Sequence, residues 1–325
     1  GNVYHVDCNV TIPQGDSLTI EHGVRVRFAA GTGMLCNGKL KVEGTATDRV
    51  VFTSLAASPL PGDWSNIELK STNNDISHLD YEYAADGFTG SNASGTTIDS
   101  LYMVGSLSLT ANGINLTNTS NLTVKNSSIS VAGDYGIYAP SANNSKIKDN
   151  NIHGSYSEAA VKMENCTGCT VSGNSMTNRP YRGIWMENGF NTTISNNNMD
   201  VQDYGIEARY GSYLTMNGNT ITSWERYGID FYSSENCTLN YNRIISADDR
   251  DSDYGMYNTE DNSNAIINYN YIQVGQLDSV SCNYNNGSYN YGIRVYDAKE
   301  IKGDTVICYN YYAGYGIYTE LRYQD

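Results

Sequence analysis

Two series of residues recur at an interval that would bring their side chains together. Trp185, Glu207 and Asp230 form one, and Glu187, Arg209 and Tyr232 the other, each step being 22 or 23 residues. Tyr257 and Arg294 continue the first series after longer steps. If each step is one turn of a stacked chain, successive members lie about 4.8 Å apart. Glu207 and Asp230 then stand near the roughly 5 Å that retaining glycoside hydrolysis uses, inversion needing about 6.5–9.5 Å, with Arg209 beside them as a third catalytic candidate. A polyuronate lyase instead needs a cation to neutralise the sugar carboxylate and a base to take the neighbouring proton. Arg182, Arg209, Arg226 or Lys162, with a tyrosine as base, are candidates for that work. Without any reaction the same residues make a glycan-binding strip. Trp185, Tyr232 and Tyr257 offer faces to sugar rings, while Glu187 and Arg294 hydrogen-bond hydroxyls. A solvated, mixed-charge sheet face has the same composition, and that reading stays open.

Other clusters carry less. Asp249, Asp251 and Asp253 fall at the first, third and fifth places of a calcium loop, with Glu260 at the last, but Tyr254 stands where the sharp turn needs glycine. Calcium is the one cofactor candidate, and no cofactor is required by any motif. The seven cysteines are scattered, and Cys166-Thr-Gly-Cys169 has no second pair, which argues against zinc. Those cysteines read as small residues buried between strands. The four histidines (His5, His22, His78, His153) are dispersed.

The elements that must position these residues are set by a repeat. Tyr135-Gly136-Ile137, Arg182-Gly183-Ile184, Tyr204-Gly205-Ile206, Tyr227-Gly228-Ile229, Tyr254-Gly255-Met256, Tyr291-Gly292-Ile293 and Tyr315-Gly316-Ile317 share one word. A second word runs between them: Val171…Asn174-Ser175-Met176, Ile194…Asn197-Asn198-Met199, Met216…Asn219-Thr220-Ile221, Leu239…Asn242-Arg243-Ile244. Each period of about 23 residues holds short strand-sized bursts between Asn/Gly turns and no 3.6-residue periodicity. So short a unit buries its apolar face only by stacking on its neighbours. This predicts an all-β, single-stranded right-handed parallel β-helix in one domain over 1–325. Residues 1–85 form less regular coils and 86–325 regular ones, with insertions near 246–253 and 273–290. The recurring Asn is expected to stack from coil to coil and to tolerate left-handed backbone. The Tyr before Gly has the parity of the inward Ile, so it is expected to pack the coil entrance.

Composition agrees. Asn (39), Gly (31) and Tyr (28) are abundant, and only 17% of residues are charged. The net charge of −15 repels nucleic acid and anionic membrane, and no apolar run is long enough to insert in a bilayer.

The opening, Ile12-Pro-Gln-Gly15…Leu18-Thr-Ile20…Val24-Arg-Val-Arg-Phe28, then Gly62-Asp63-Trp64…Ile67, resembles that of secreted right-handed parallel β-helix proteins. The later Gly-Ile and Asn-x-Ile coils resemble NosD-like and pectate-lyase-like repeats of carbohydrate-binding proteins and sugar hydrolases. The resemblance implies a secreted or cell-surface protein, the outward residue rows suggest that it binds polysaccharide along that face, and a last coil without an amphipathic cap, Tyr315 to Asp325, suggests part of a longer chain. The alternatives are a polysaccharide lyase or glycoside hydrolase on that face, or a structural stalk self-associating through uncapped coil ends. The paired-Asp and Gly-His-Gly words of pectin hydrolases are missing. So are the Trp-x-Asp-His of pectate lyases and the Asp-Pro-x-x of alginate epimerases, so no catalytic role is carried over from the family.

Overall fold

The computed structural model describes residues 1–106, 111–154, 157–222, 225–245, 253–258, 263–274, 290–308 and 314–319. All regular elements among them are strands. Consecutive strands join three different parallel sheets in rotation, and each strand pairs with the one three places along. That is a parallel β-helix, as the repeat predicts. Its contacts divide it into two compact units, Gly1–Met163 and Glu164–Asp325.

In the first unit the irregular coils form the alternating strands read from sequence, among them Arg25–Phe28, Lys39–Glu43, Val50–Ser54 and Leu79–Glu82. Their core is aromatic. Phe28 stacks on Trp64 at 4.2 Å, Trp64 meets Tyr81 at 4.8 Å, and Tyr81 meets Phe88 at 5.3 Å. Burial of these large rings stabilises coils that lack the regular words, and their polar atoms are satisfied. Trp64 Nε1 donates to the Glu82 carbonyl and the Tyr81 hydroxyl to the Asp86 carbonyl.

The second unit is regular because its strand register equals the sequence period. Thr193 pairs with Thr215 and Thr215 with Thr238, so Ile194, Met216 and Leu239 fall in one fully buried column. A buried ladder of amides runs beside it. Asn174, Asn197, Asn219 and Asn242 each donate from Nδ2 to the Oδ1 of the next, at 2.9–3.0 Å, and Asn270 donates to Asp304 Oδ1 at 2.8 Å. Each interior amide also satisfies backbone. Asn197 Oδ1 accepts from the Asn174 N–H, and Asn197 Nδ2 donates to the Val171 carbonyl. The ladder is as expected, but the left-handed residue is its predecessor: Asn196, Gly218, Tyr241 and Tyr269 have φ of 55°, 65°, 57° and 58°.

Another expectation is corrected. A Cβ on Gly205 would lie 2.4 Å from Ile221 Cγ2 and 2.5 Å from the Gly228 carbonyl, so this position faces the core immediately before inward Ile206. Two successive inward positions break the alternation and turn Tyr204 to the side of Glu207. The tyrosines before Gly therefore stack on the outer face of their sheet.

Cys166 and Cys169 are buried and joined as a disulfide, where the sequence suggests buried thiols. Of the calcium candidates, Asp249, Asp251 and Glu260 lie outside the described residues; Asp253 is fully buried.

Candidate functional site

The site is built on adjacent strands of one sheet in the second unit: Arg182–Glu187, Tyr204–Arg209, Tyr227–Asp230, Tyr254–Asn258 and Asn290–Val295. Register places Trp185, Glu207, Asp230, Tyr257 and Arg294 in one row, as the spacing predicts, and pairs Glu187 with Arg209. Tyr232 lies beyond the strand end, its N–H donating to Asp230 Oδ1 at 3.1 Å.

A second row explains the first. Tyr204, Tyr227, Tyr254, Tyr291 and Tyr315 stack at ring-centroid spacings of 5.1 Å with interplanar angles of 2–15°. Cations lie over these rings. Arg182 is 5.3 Å from the Tyr204 centroid and 4.4 Å from that of Trp185, Arg226 is 5.2 Å from Tyr204, and Arg294 is 5.0 Å from Tyr291. Arg182 therefore covers part of the indole that the sequence offers as an open platform.

Buried carboxylates hold the guanidinium groups in place. Glu207, only 1% exposed, accepts from Arg182 Nε and lies 2.7 Å from an Arg209 nitrogen. The same Arg209 nitrogen is 3.3 Å from Asp230 Oδ2, so one cation bridges the two carboxyl groups. Asp203, 2% exposed, accepts from Arg226 Nε at 2.6 Å, and Arg226 also reaches the Tyr181 hydroxyl at 2.5 Å. Arg209 and Arg226 remain 38% and 46% exposed above the buried Glu207, Asp230 and Asp203, while half-buried Glu187 keeps one carboxylate at the surface beside Arg209.

Burial pushes the Asp230 carboxyl up to about 6, with nearby Glu207 adding to the rise and Arg209 opposing it. Burial also raises the Tyr204 hydroxyl to about 12 and the Tyr227 hydroxyl further. A phenolate base near neutrality is thus disfavoured, whereas Asp230 holds a proton in the range of a general acid. Both Glu207 and Asp230 are screened from solvent by the arginines, so a sugar touches them only if those side chains move.

Asp203 and Tyr181 join the site through Arg226 without belonging to either recurring row. The sequence carries a signal for Asp203, because Asp203 and Arg226 are 23 residues apart, one period, and opposite charges one period apart meet. Lys162 belongs to the first unit, where its ammonium lies 5.4 Å from the Tyr135 and Tyr138 rings.

A family model described as periplasmic copper-binding protein (NosD) matches residues 64–197 and 92–317, and one described as pectate-lyase like beta helix domain matches 1–97. No curated protein sequence matches the chain. The periplasmic alginate epimerase AlgG has a similar structure, with a TM-score of 0.54 at 12% identity over 99% of this chain and 78% of that one. The Agl-KA catalytic domain gives 0.54 at 14% identity over 98% and 61%. These likenesses establish the fold. Among the described residues no three His, Cys, Asp or Glu side chains gather to hold a metal.

Proposed function

We propose that this chain, which belongs to the NosD family of parallel β-helix proteins, binds an acidic polysaccharide along the tyrosine–arginine face of its second unit, outside the cytoplasm. The carrying observation is the layering of that face. Glu207, Asp230 and Asp203 are buried under Arg182, Arg209 and Arg226, which keep their orientation, and Arg209 and Arg226 present part of their guanidinium groups to solvent. Guanidinium forks pair with carboxylates in two-point contacts, and the part of Trp185 that Arg182 leaves uncovered suits the C–H face of a sugar, while the stacked tyrosines turn only their edges outward. A chain of uronate residues offers both features at each step. The fold shared with an alginate epimerase brings alginate into the test as one acidic candidate.

The test is a binding screen of polyuronates against neutral glucans. Polyuronate binding weakened about tenfold or more by Arg226→Gln, with Trp185→Ala also weakening it, is the expected result. Equal affinity for neutral and acidic chains would sink the acidic reading.

One observation favours a catalytic reading, in which the face belongs to a polysaccharide lyase or glycoside hydrolase. Asp230, raised to about 6 and bridged to Glu207 through Arg209, has the protonation of a general acid beside a second carboxylate. New reducing ends or unsaturated products, lost in Asp230→Asn with binding retained, would establish it. Binding without any product would refute it.

A further inference from the structure

Where the tyrosine–arginine sheet turns into the next, several aromatic rings stand in solvent. Phe190, Tyr210 and Tyr213 are 48%, 54% and 54% exposed. Tyr213 meets Phe190 at 5.6 Å and Tyr210 meets half-buried Tyr232 at 6.5 Å, both edge to face, so neither pair closes all its faces.

The backbone beneath is left-handed, as it also is under exposed Tyr241 and Tyr269 beside the amide ladder. Tyr210 and Tyr213 have φ of 56° and 55°, in the left-handed region. Backbone hydrogen bonds identify their counterparts one coil away: the N–H groups of Asn188 and Tyr210 reach equivalent carbonyls, as do those of Asn191, Tyr213 and Asn236. Those counterparts are left-handed too, with φ of 51° at Asn188, 50° at Ser233, 49° at Asn191 and 54° at Asn236. Asn and Ser are small, and Asn suits this conformation well, whereas a bulky aromatic residue is strained in it. The two tyrosines recover little of that cost through burial, because their rings are exposed. What sets these two apart from Tyr241 and Tyr269 is their place: strained, exposed rings that directly adjoin the arginine face point to use of those rings.

The occupant that fits is a sugar. A pyranose has an apolar C–H face and a rim of hydroxyls, and the faces that these edge-to-face pairs leave uncovered adjoin coil positions held by Asn188, Asn191, Ser212 and exposed Glu235. The corner is also continuous with the sheet face, since Tyr210 directly follows Arg209 and the Tyr232 N–H bonds Asp230. We infer that Tyr210 and Tyr213 form a second glycan subsite, which takes the sugars of a long chain as it leaves the arginine face. This inference rests on the glycan reading of that face.

The experiment uses the full chain, with a polyuronate decasaccharide and trisaccharide as probes. Tyr210→Asn/Tyr213→Asn installs the residue of the neighbouring coils. Its melting temperature should equal or exceed that of the original, while its affinity for the decasaccharide falls about tenfold and for the trisaccharide stays unchanged. Tyr210→Phe/Tyr213→Phe keeps the ring faces and should bind within about twofold of the original. Undiminished decasaccharide binding in the Asn variant, with loss in Trp185→Ala, overturns the corner subsite and leaves the arginine face standing. A lowered melting temperature with intact binding assigns the rings to packing and also overturns it. Self-association abolished by the Asn variant would make the corner an interface between copies instead. If the original chain binds neither probe and no other glycan, both readings fall together.

Discussion

Asp230 keeps its proton to a pH at which an ordinary aspartic acid has lost it, and this has a thermodynamic consequence. Its folded value of about 6 lies above the unfolded value of roughly 3.9, so between those values the folded chain binds more protons. Its contribution is therefore most favourable below about pH 4 and is lost as pH rises through about 6, a fall of about 3 kcal/mol. Denaturant unfolding between pH 4 and 7 should show this fall in the original chain and a shallower one in Asp230→Asn. Asp304, which burial also raises, keeps some slope in both. Parallel curves would mean that Asp230 titrates normally. Arg209 is the complementary residue, since one of its nitrogens serves both Glu207 and Asp230. Arg209→Gln leaves two buried carboxyl groups facing each other. It should cost about 3 kcal/mol at pH 7 and noticeably less at pH 5, where Asp230 is protonated. Equal losses at both pH values would show that packing of the arginine stem matters more than its charge.

At the scale of the element, the amide ladder makes a sharper demand than the apolar columns beside it. Asn219 accepts from the N–H and Nδ2 of Asn197 and donates to Asn242 Oδ1 and the Ile194 carbonyl. Asn219→Leu orphans several of these buried groups, at about 1–3 kcal/mol each, whereas Met216→Leu in the neighbouring column should cost less than about 1.5 kcal/mol. Comparing the two midpoints in urea checks the order, and a smaller loss in Asn219→Leu would contradict it. The repeat made both columns legible in the sequence, because strand register copies the period and a residue's neighbours in adjacent coils can be counted off. The row from Trp185 to Arg294 was legible for the same reason. The tyrosine row was not. Period-two alternation puts Tyr204 inside, but Gly205 occupies an extra inward position against Ile221 and the tyrosine turns out. Nor does counting show depth. The period places Glu207 and Asp230 on the outward face, and it is the arginines covering them that make them buried clamps.

For the whole molecule, the local and global electrostatics have opposite signs. The chain carries −15, yet the face that is to hold an acidic glycan presents Arg209 and Arg226. At an ionic strength of about 0.01 M the screening length is about 30 Å, so an approaching polyanion meets the field of the full negative charge. At about 0.15 M it shrinks to about 8 Å, and the glycan senses chiefly the nearby guanidinium groups. Raising salt across this range should therefore quicken association with a polyuronate, opposite to what a basic polyanion binder shows. Dissociation should quicken as well, because the same ions weaken the exposed contacts once they form. A neutral glucan should show neither trend. Stopped-flow association and chase experiments at the two salt concentrations separate these rates. An association rate that falls with salt would mean that the cationic face dominates the field of the whole protein. Unchanged rates for the polyuronate would mean that charge plays no part in its capture, and the acidic reading of the face would go with it.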